Sequence, residues 1–284
     1  VYPMIAATEP QLPQLLAEGP YRTDDDKLFI RSVKIYADGA LGSRGAALLK
    51  PYSDDHDNHG LLVTSVDNIR KLYQLIIPFG FQINTHAIGD RANRIALDAF
   101  AEFYQTLGGR NLRNRIEHAQ IVNVDDLQRF KDLNIIASMQ PTHATSDKNM
   151  AEDRLGKARM KGAYAWHTLL EQGTIIAAGS DFPVELANPF YGLHAAVTRQ
   201  DRQNMPAGGW HAEESMSLEQ ALRAFTIDAA YAGWQESTLG SIEPGKWADF
   251  IVLDRDPFAI DAKDIWRVDV EQTFVAGEQV YSNE

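Results

Sequence analysis

The sequence has no cysteine, which excludes disulfides, thiolate nucleophiles and cysteine metal sites; a bound metal would have to rest on histidine, carboxylate or a modified lysine. It also has no apolar run close to the roughly 20 residues of a membrane span. Positive charge is scarce: 27 Lys and Arg stand against 39 Asp and Glu, for a formal charge of −12 and a pI near 5.1. Nucleic acid and anionic membrane surfaces would be repelled at long range, so a small-molecule substrate is the expected partner. No internal repeat or low-complexity tract is present. What remains is a 284-residue chain, 44% apolar, with enough material for a sizeable α/β core and the composition of a soluble protein, cytoplasmic or periplasmic. VYPMIAAT at the start reads as a strand already under way with no charged leader, so the chain is expected to be the later part of something longer.

The chemistry-bearing residues sit where apolar runs end. Phe81 to Arg91, FQINTHAIGDR, reads as a buried strand that delivers His86 and breaks at Gly89 before a helix. Asn114 to Val122, NRIEHAQIV, repeats the design with His118. Gly173 to Glu185 ends the strand Thr174 to Ala178 in Gly179, Ser180 and Asp181. His118 follows His86 by 32 residues and Asp181 follows His118 by 63. At roughly 30 residues per strand-plus-helix unit, the three fall on strands n, n+1 and n+3, at the carboxyl ends where parallel barrels place their sites. Two imidazoles and a carboxylate suit Zn²⁺ or a similar ion, which would lower the pKa of a bound water and make hydroxide available at neutral pH. Asp181 is the expected general base and acid.

Other segments are placed by pattern. Phe29 to Ala37 alternates and reads as a strand carrying Lys34, followed by the glycine-rich loop Asp38 to Ala46. In that loop Ser43 and Arg44 are candidate substrate contacts, with Arg44 able to fork onto a carboxylate. Gln140 and His143, in QPTH after the strand Ile135 to Met139, are two more; Pro141 is expected to turn His143 into a loop. Ala144 to Gly162 reads as a polar, mobile rim or lid. His56 and His59 read as a solvated loop, and His167, His194 and His211 as solvent or core residues. Ser217 to Gly233 reads as one helix opened by a capping box. Beyond it the period changes to two, which predicts a small antiparallel sheet.

THAIGD, EHAQ, QPTH, GSDFPVE and the tail LGSIEPGKWADFIVLDRDP together resemble the metal-dependent amidohydrolase superfamily, most closely its YtcJ-like, amidohydrolase 3 branch, over about Val33 to Tyr281. The resemblance implies a partial (β/α)8 TIM barrel, about strands three to eight, over residues 1–235, with residues 236–284 as the C-terminal part of a composite β-sandwich. By position it implies His86, His118 and Asp181 as metal ligands, with Lys34 where many members carry a carboxylated lysine that bridges two ions. One or two divalent ions, zinc first, and hydrolysis of a non-peptide C–N bond in an amide, formamide or cyclic amide are the implied chemistry. The first-strand His-x-His of the superfamily occurs nowhere here. That departure implies either a portion of a longer enzyme or a degenerate relative acting as a binding or regulatory domain; cleavage of a C–O bond on the same centre is the other alternative. Six strands of eight would leave two open edges, so self-association into a homo-oligomer is expected.

Overall fold

Short apolar runs bounded by Gly, Pro and Asn form strands, and the longer amphipathic runs between them form helices. The computed structural model describes residues 1–283. In chain order the elements are β1 (Met4–Ala6), α1 (Leu12–Glu18), β2 (Tyr21–Arg22), β3 (Phe29–Ile30), β4 (Ser32–Tyr36), α2 (Val66–Ile76), β5 (Gln82–Ala87), α3 (Asp90–Thr106), β6 (Arg115–His118), α4 (Leu127–Asp132), β7 (Ile136–Met139), α5 (Pro141–Asp147), α6 (Ala151–Leu155), α7 (Trp166–Glu171), β8 (Ile176–Ala178), α8 (Pro189–Thr198), α9 (Leu218–Phe225), α10 (Ile227–Ala232), β9 (Phe250–Leu253), β10 (Val270–Val275) and β11 (Glu278–Ser282). A six-stranded parallel sheet runs in the order β1-β4-β5-β6-β7-β8, so each helical crossover carries the chain to the next parallel strand. A three-stranded antiparallel sheet, β11-β10-β9, forms the tail. By contacts the chain divides into one unit of residues 1–139 and 149–175 and a second of residues 140–148 and 176–284.

In the first unit, β4, β5 and β6 are in register, Ile35 opposite Thr85 and Thr85 opposite Ile116. Side chains alternate across a sheet, so this row and Val33 and Ile83 two residues back share one face. All five are buried, and Thr85 shares a 2.7 Å hydrogen bond with Tyr73 of α2. That face is therefore the helix side, where Ile69 and Ile76 of α2 and Ala96, Leu97 and Phe100 of α3 close the core. The alternate residues, Lys34, Asn84, His86, Arg115 and Glu117, point to the opposite face. Asn93 of α3, fully buried, donates from Nδ2 towards the carbonyls of Ala87 at 3.1 Å, Gly89 at 3.0 Å and Ile121 at 3.1 Å. It thereby ties the end of β5 to the segment after β6.

In the second unit, α8 is the hub. Phe190, Leu193 and Ala196 are buried, and a Cβ on Gly192 would lie 2.4 Å from the Phe225 ring, so only glycine lets α9 approach this closely. His194 is buried with its two ring nitrogens 3.2 Å from the Ala262 carbonyl and 3.1 Å from that of Asp201, which is the expected core role.

Three expectations are corrected. Pro141 opens α5, where a missing N–H costs nothing in the first turn, so His143 lies on a helix and not in a loop. The stretch 144–162 is largely helical, with Ala151, Leu155 and Met160 buried, and not the irregular polar segment that its composition suggests. Its polar residues bind locally instead: Arg159 donates to the Pro51 carbonyl at 2.8 Å. The helix after Ser217 carries the capping box, Gln220 N to Ser217 Oγ at 3.1 Å and Ser217 N to Gln220 Oε1 at 2.8 Å, but breaks at Thr226 (φ −123°, ψ −94°) into α9 and α10.

Replacing the Asn93 amide by an apolar group of similar size strands several buried carbonyls. Asn93→Leu is expected to lower the unfolding free energy by about 2 kcal/mol, read as a lower urea midpoint; an unchanged midpoint would show that the clamp carries no stability.

Candidate active site

The parallel register places chemistry in rows. Tyr36 pairs with His86, His86 with Glu117 and Glu117 with Ser138 across β4 to β7, and two residues earlier Lys34 pairs with Asn84 and Asn84 with Arg115. Residues level in neighbouring strands share a face, so these side chains form two polar rows at the carboxyl end of the sheet. His118, one position past Glu117, would point to the helix side if the pleat continued. The backbone turns left-handed there, φ 76° at His118 and 42° at Ala119, and the imidazole comes within 4.5 Å of the His86 ring, edge to face. A positive φ at a non-glycine residue is costly, of order 1–3 kcal/mol, and such strain gathers at functional positions.

Beneath the two imidazoles lies a buried ionic cluster. Arg115 Nε is 2.8 Å from Glu117 Oε1, both nearly inaccessible. Burial alone would push the Glu117 carboxyl up, but Arg115, Lys34 and the hydroxyl of Ser138 outweigh it and hold the carboxyl below its usual range. The Lys34 ammonium also lies 5.0 Å over the Tyr36 ring.

Asp38 closes the arrangement from the loop side. Its buried carboxylate accepts Ile88 N at 3.0 Å and Gly89 N and Ala47 N at 2.8 Å each, and its Oδ1 lies 3.5 Å from His86 Nε2. Burial raises this carboxyl to about 7 even though the three amides favour its charged form. Gly89 must be glycine for this: a Cβ there would sit 2.0 Å from the Ala47 carbonyl oxygen.

Of the sequence-predicted residues, the first unit brings together Lys34, His86 and His118. Ser43 is exposed and donates to the Ala40 carbonyl at 3.2 Å. Arg44 forks onto Asp54 at 3.1 and 3.0 Å, and Asp54 also pairs with Arg154, so this guanidinium already holds a carboxylate of its own chain. The second unit brings together His143 and Asp181, Nε2 to Oδ2 at 3.8 Å, with the Asp181 side chain 40% exposed. Asp181 has φ 58° and its carbonyl accepts Val184 N at 2.8 Å, a turn and not a helix cap. Gln140 precedes α5, and its carbonyl accepts His143 N at 3.1 Å. His56 and His59 are exposed. Sequence reasoning missed Asp38 and Glu117 as site residues. Glu117 directly precedes the strand-end His118, which was an available signal, whereas Asp38 only heads the glycine-rich loop and carried none.

The donor chemistry suits a divalent cation: a buried and a part-buried imidazole meet on adjacent strand ends. Among the described residues, however, no cluster of three or more His, Cys, Asp or Glu side chains is gathered to hold one. Residues 5–281 match the model of an amidohydrolase family. The chain belongs to that family. It is 35% identical over 88% of its length to the amidohydrolase YtcJ of Bacillus subtilis, covering 47% of that protein, and 36% identical over 89% of its length to LONG AFTER FAR-RED 3 of Arabidopsis thaliana, covering 43%. An N-substituted formamide deformylase of Arthrobacter pascens is 29% identical over 70% of the chain, covering 36% of that enzyme. A metal-dependent hydrolase of Pyrococcus furiosus with a solved structure superposes with a TM-score of 0.77 at 36% identity, over 90% of this chain and 51% of that one. The chain thus spans about half the length of the relatives it matches. Its parallel strands and flanking helices follow the α/β architecture of the barrel hydrolases it superposes on, and its tail adds a small antiparallel sheet.

The raised Asp38 carboxyl carries a pH dependence. The folded chain binds this proton up to about pH 7, the unfolded chain only to about 4, so the contribution to stability is full below pH 4 and is lost as pH rises through 7. The span is on the order of 4 kcal/mol. The stability gap between wild type and Asp38→Asn, from urea unfolding, should therefore shift towards the variant between pH 5 and pH 8; a constant gap contradicts the burial account.

Proposed function

We propose that the protein is a metal-dependent hydrolase that cleaves a non-peptide C–N bond in an amide, formamide or cyclic amide. The observation that carries the reading is the edge-on approach of His86 and His118 at neighbouring strand ends, one of them turned in by a left-handed backbone. The resemblance to an N-substituted formamide deformylase supports the bond type. His86 and His118 would hold the cation, with Asp181 and Lys34, the latter as its carbamate, as further ligands. A lysine ammonium cannot ligate, because at neutral pH, well below its usual pKa of about 10.4, it is cationic and has no lone pair to donate. When bound, a zinc-like ion supplies Lewis acidity that lowers the pKa of a water from about 15.7 to about 7.

The chain's own residues do the rest. Asp181 accepts the proton of the attacking water and returns it to the leaving nitrogen as the C–N bond breaks, giving a carboxylic acid or formate and an amine. His143, with Nε2 3.8 Å from Asp181 Oδ2, orients that carboxylate. Glu117 and Arg115 fix the floor beneath the imidazoles, and Asp38 holds the His86 strand end. Ser43, Arg44 and Gln140 are proposed to contact substrate, which for Arg44 requires release from Asp54. A second reading, a non-catalytic binding domain, is favoured by the lack of a three-donor cluster among the described residues.

Elemental analysis and a panel of formamides and cyclic amides test this on the complete protein. Stoichiometric zinc is expected, falling at least tenfold in affinity on His86→Ala. Asp181→Asn is expected to lower kcat by 100-fold or more with an unchanged circular dichroism spectrum. Wild-type rates in that variant would remove Asp181 from the chemistry, and a metal-free, inactive wild type would favour the binding-domain reading.

A further inference from the structure

A cavity of about 460 Å³ opens in the first unit beside the polar rows, walled by the ends of β1 and β4 and by the start of α2. Its apolar walls include Tyr36, Val63 and Leu72. Tyr36 and Val63 are 52% and 58% exposed and stand together on the cavity wall, so the cavity presents apolar surface to solvent. Tyr36 also connects it to the candidate site, since its ring lies 5.5 Å from that of His86.

The charge of this cavity runs against that of the molecule. In a chain of net charge −12, no carboxylate side chain lines it; its two charged lining residues are lysines, and with Lys34 committed to the candidate site, Lys71 is the ammonium left to the cavity. Lys34 is already engaged by Glu117 at the inner end. Lys71, on α2 at the outer end, makes no ion pair among the described residues; Asp67, one helical turn before it, does not reach it. A lysine stem lies readily along apolar surface while its ammonium faces solvent, and an ammonium at the rim of an apolar pocket selects an anion. A ligand that satisfies both features carries an apolar body and a distal carboxylate.

We propose that this cavity binds the organic part of the substrate, and that the substrates are amides with an apolar chain or ring ending in a carboxylate: the amide at the His86 and His118 end, the apolar body against Tyr36, Val63 and Leu72, and the carboxylate on Lys71. The inference rests on the amide-hydrolase reading and specifies its substrate class. Lys71 acts in recognition and touches no reacting atom.

The test compares 6-formamidohexanoate with neutral N-hexylformamide on the complete, zinc-loaded protein, and in parallel measures binding of 6-formamidohexanoate to the metal-free protein by calorimetry. Wild type is expected to favour the anion at least tenfold in kcat/KM, mostly through KM. Lys71→Met should reduce that preference about tenfold, Lys71→Arg should restore most of it, and the metal-free protein should lose affinity for the anion in the same order. Hydrolysis of both amides with a preference indifferent to Lys71 overturns the inference and leaves the amide-hydrolase reading standing. Lys71-dependent binding without hydrolysis of either amide overturns that reading and leaves the cavity assignment standing. Neither hydrolysis nor Lys71-dependent binding overturns both.

Discussion

The candidate site depends on the register of the parallel ladder from β4 to β7. Because the strands pair without a shift from Ser32 to Tyr36 and onward through Glu117, a residue's place in its own strand decides which neighbours it meets two strands away. Slipping β5 by one position would carry His86 to the helix face and bring Thr85 into the polar row. The apolar side enforces the register: Val33, Ile35, Ile83 and Ile116 are fully buried, and no neighbouring register buries them all. Core packing thus fixes the geometry of side chains that point away from the core.

The polar face is expensive in a different way. Arg115, Glu117 and Lys34 lie close together in a region with little water, where removing one partner leaves an uncompensated buried charge. Such clusters are weak sources of stability compared with apolar packing, and their presence beneath two imidazoles fits a site in which orientation matters more than stability. The left-handed backbone at His118 points the same way. The strain there is offset by the rigid elements on both sides, with Asn93 holding the carbonyls after each strand.

Much of this was legible in the residues themselves. The strand-then-helix rhythm, the placement of His86 and His118 at strand ends, the capping box at Ser217 and the antiparallel tail all follow from periodicity and turn chemistry. The resemblance carried by THAIGD, EHAQ and the tail named the family that the comparisons show. What escaped was tertiary. Pattern could not show that His118 leaves the pleat, that Asp38 gathers three amides from two other segments, or that Arg44 is engaged by Asp54. The stretch 144–162 reads as irregular because its polar residues suggest solvent, but Arg159 donates to the carbonyls of Lys50 and Pro51 and to the Ser53 hydroxyl. Thr226 gave no warning of a helix break, since a threonine with its hydroxyl on the Leu222 carbonyl is common in unbroken helices.

Asp38 also bears on how such a scaffold could be rebuilt. The glycine-rich segment that follows it invites grafting, since exchanging surface loops is the usual way to retarget a barrel. Here the graft has a fixed anchor point: the donor loop must return an amide to the Ala47 position and leave room opposite Gly89, or the carboxylate loses one of its donors and the imidazole beside it loses its seat. Loop libraries that randomise residues 39–45 and hold the 46–47 backbone are compatible with the fold in a way that wholesale replacement is not.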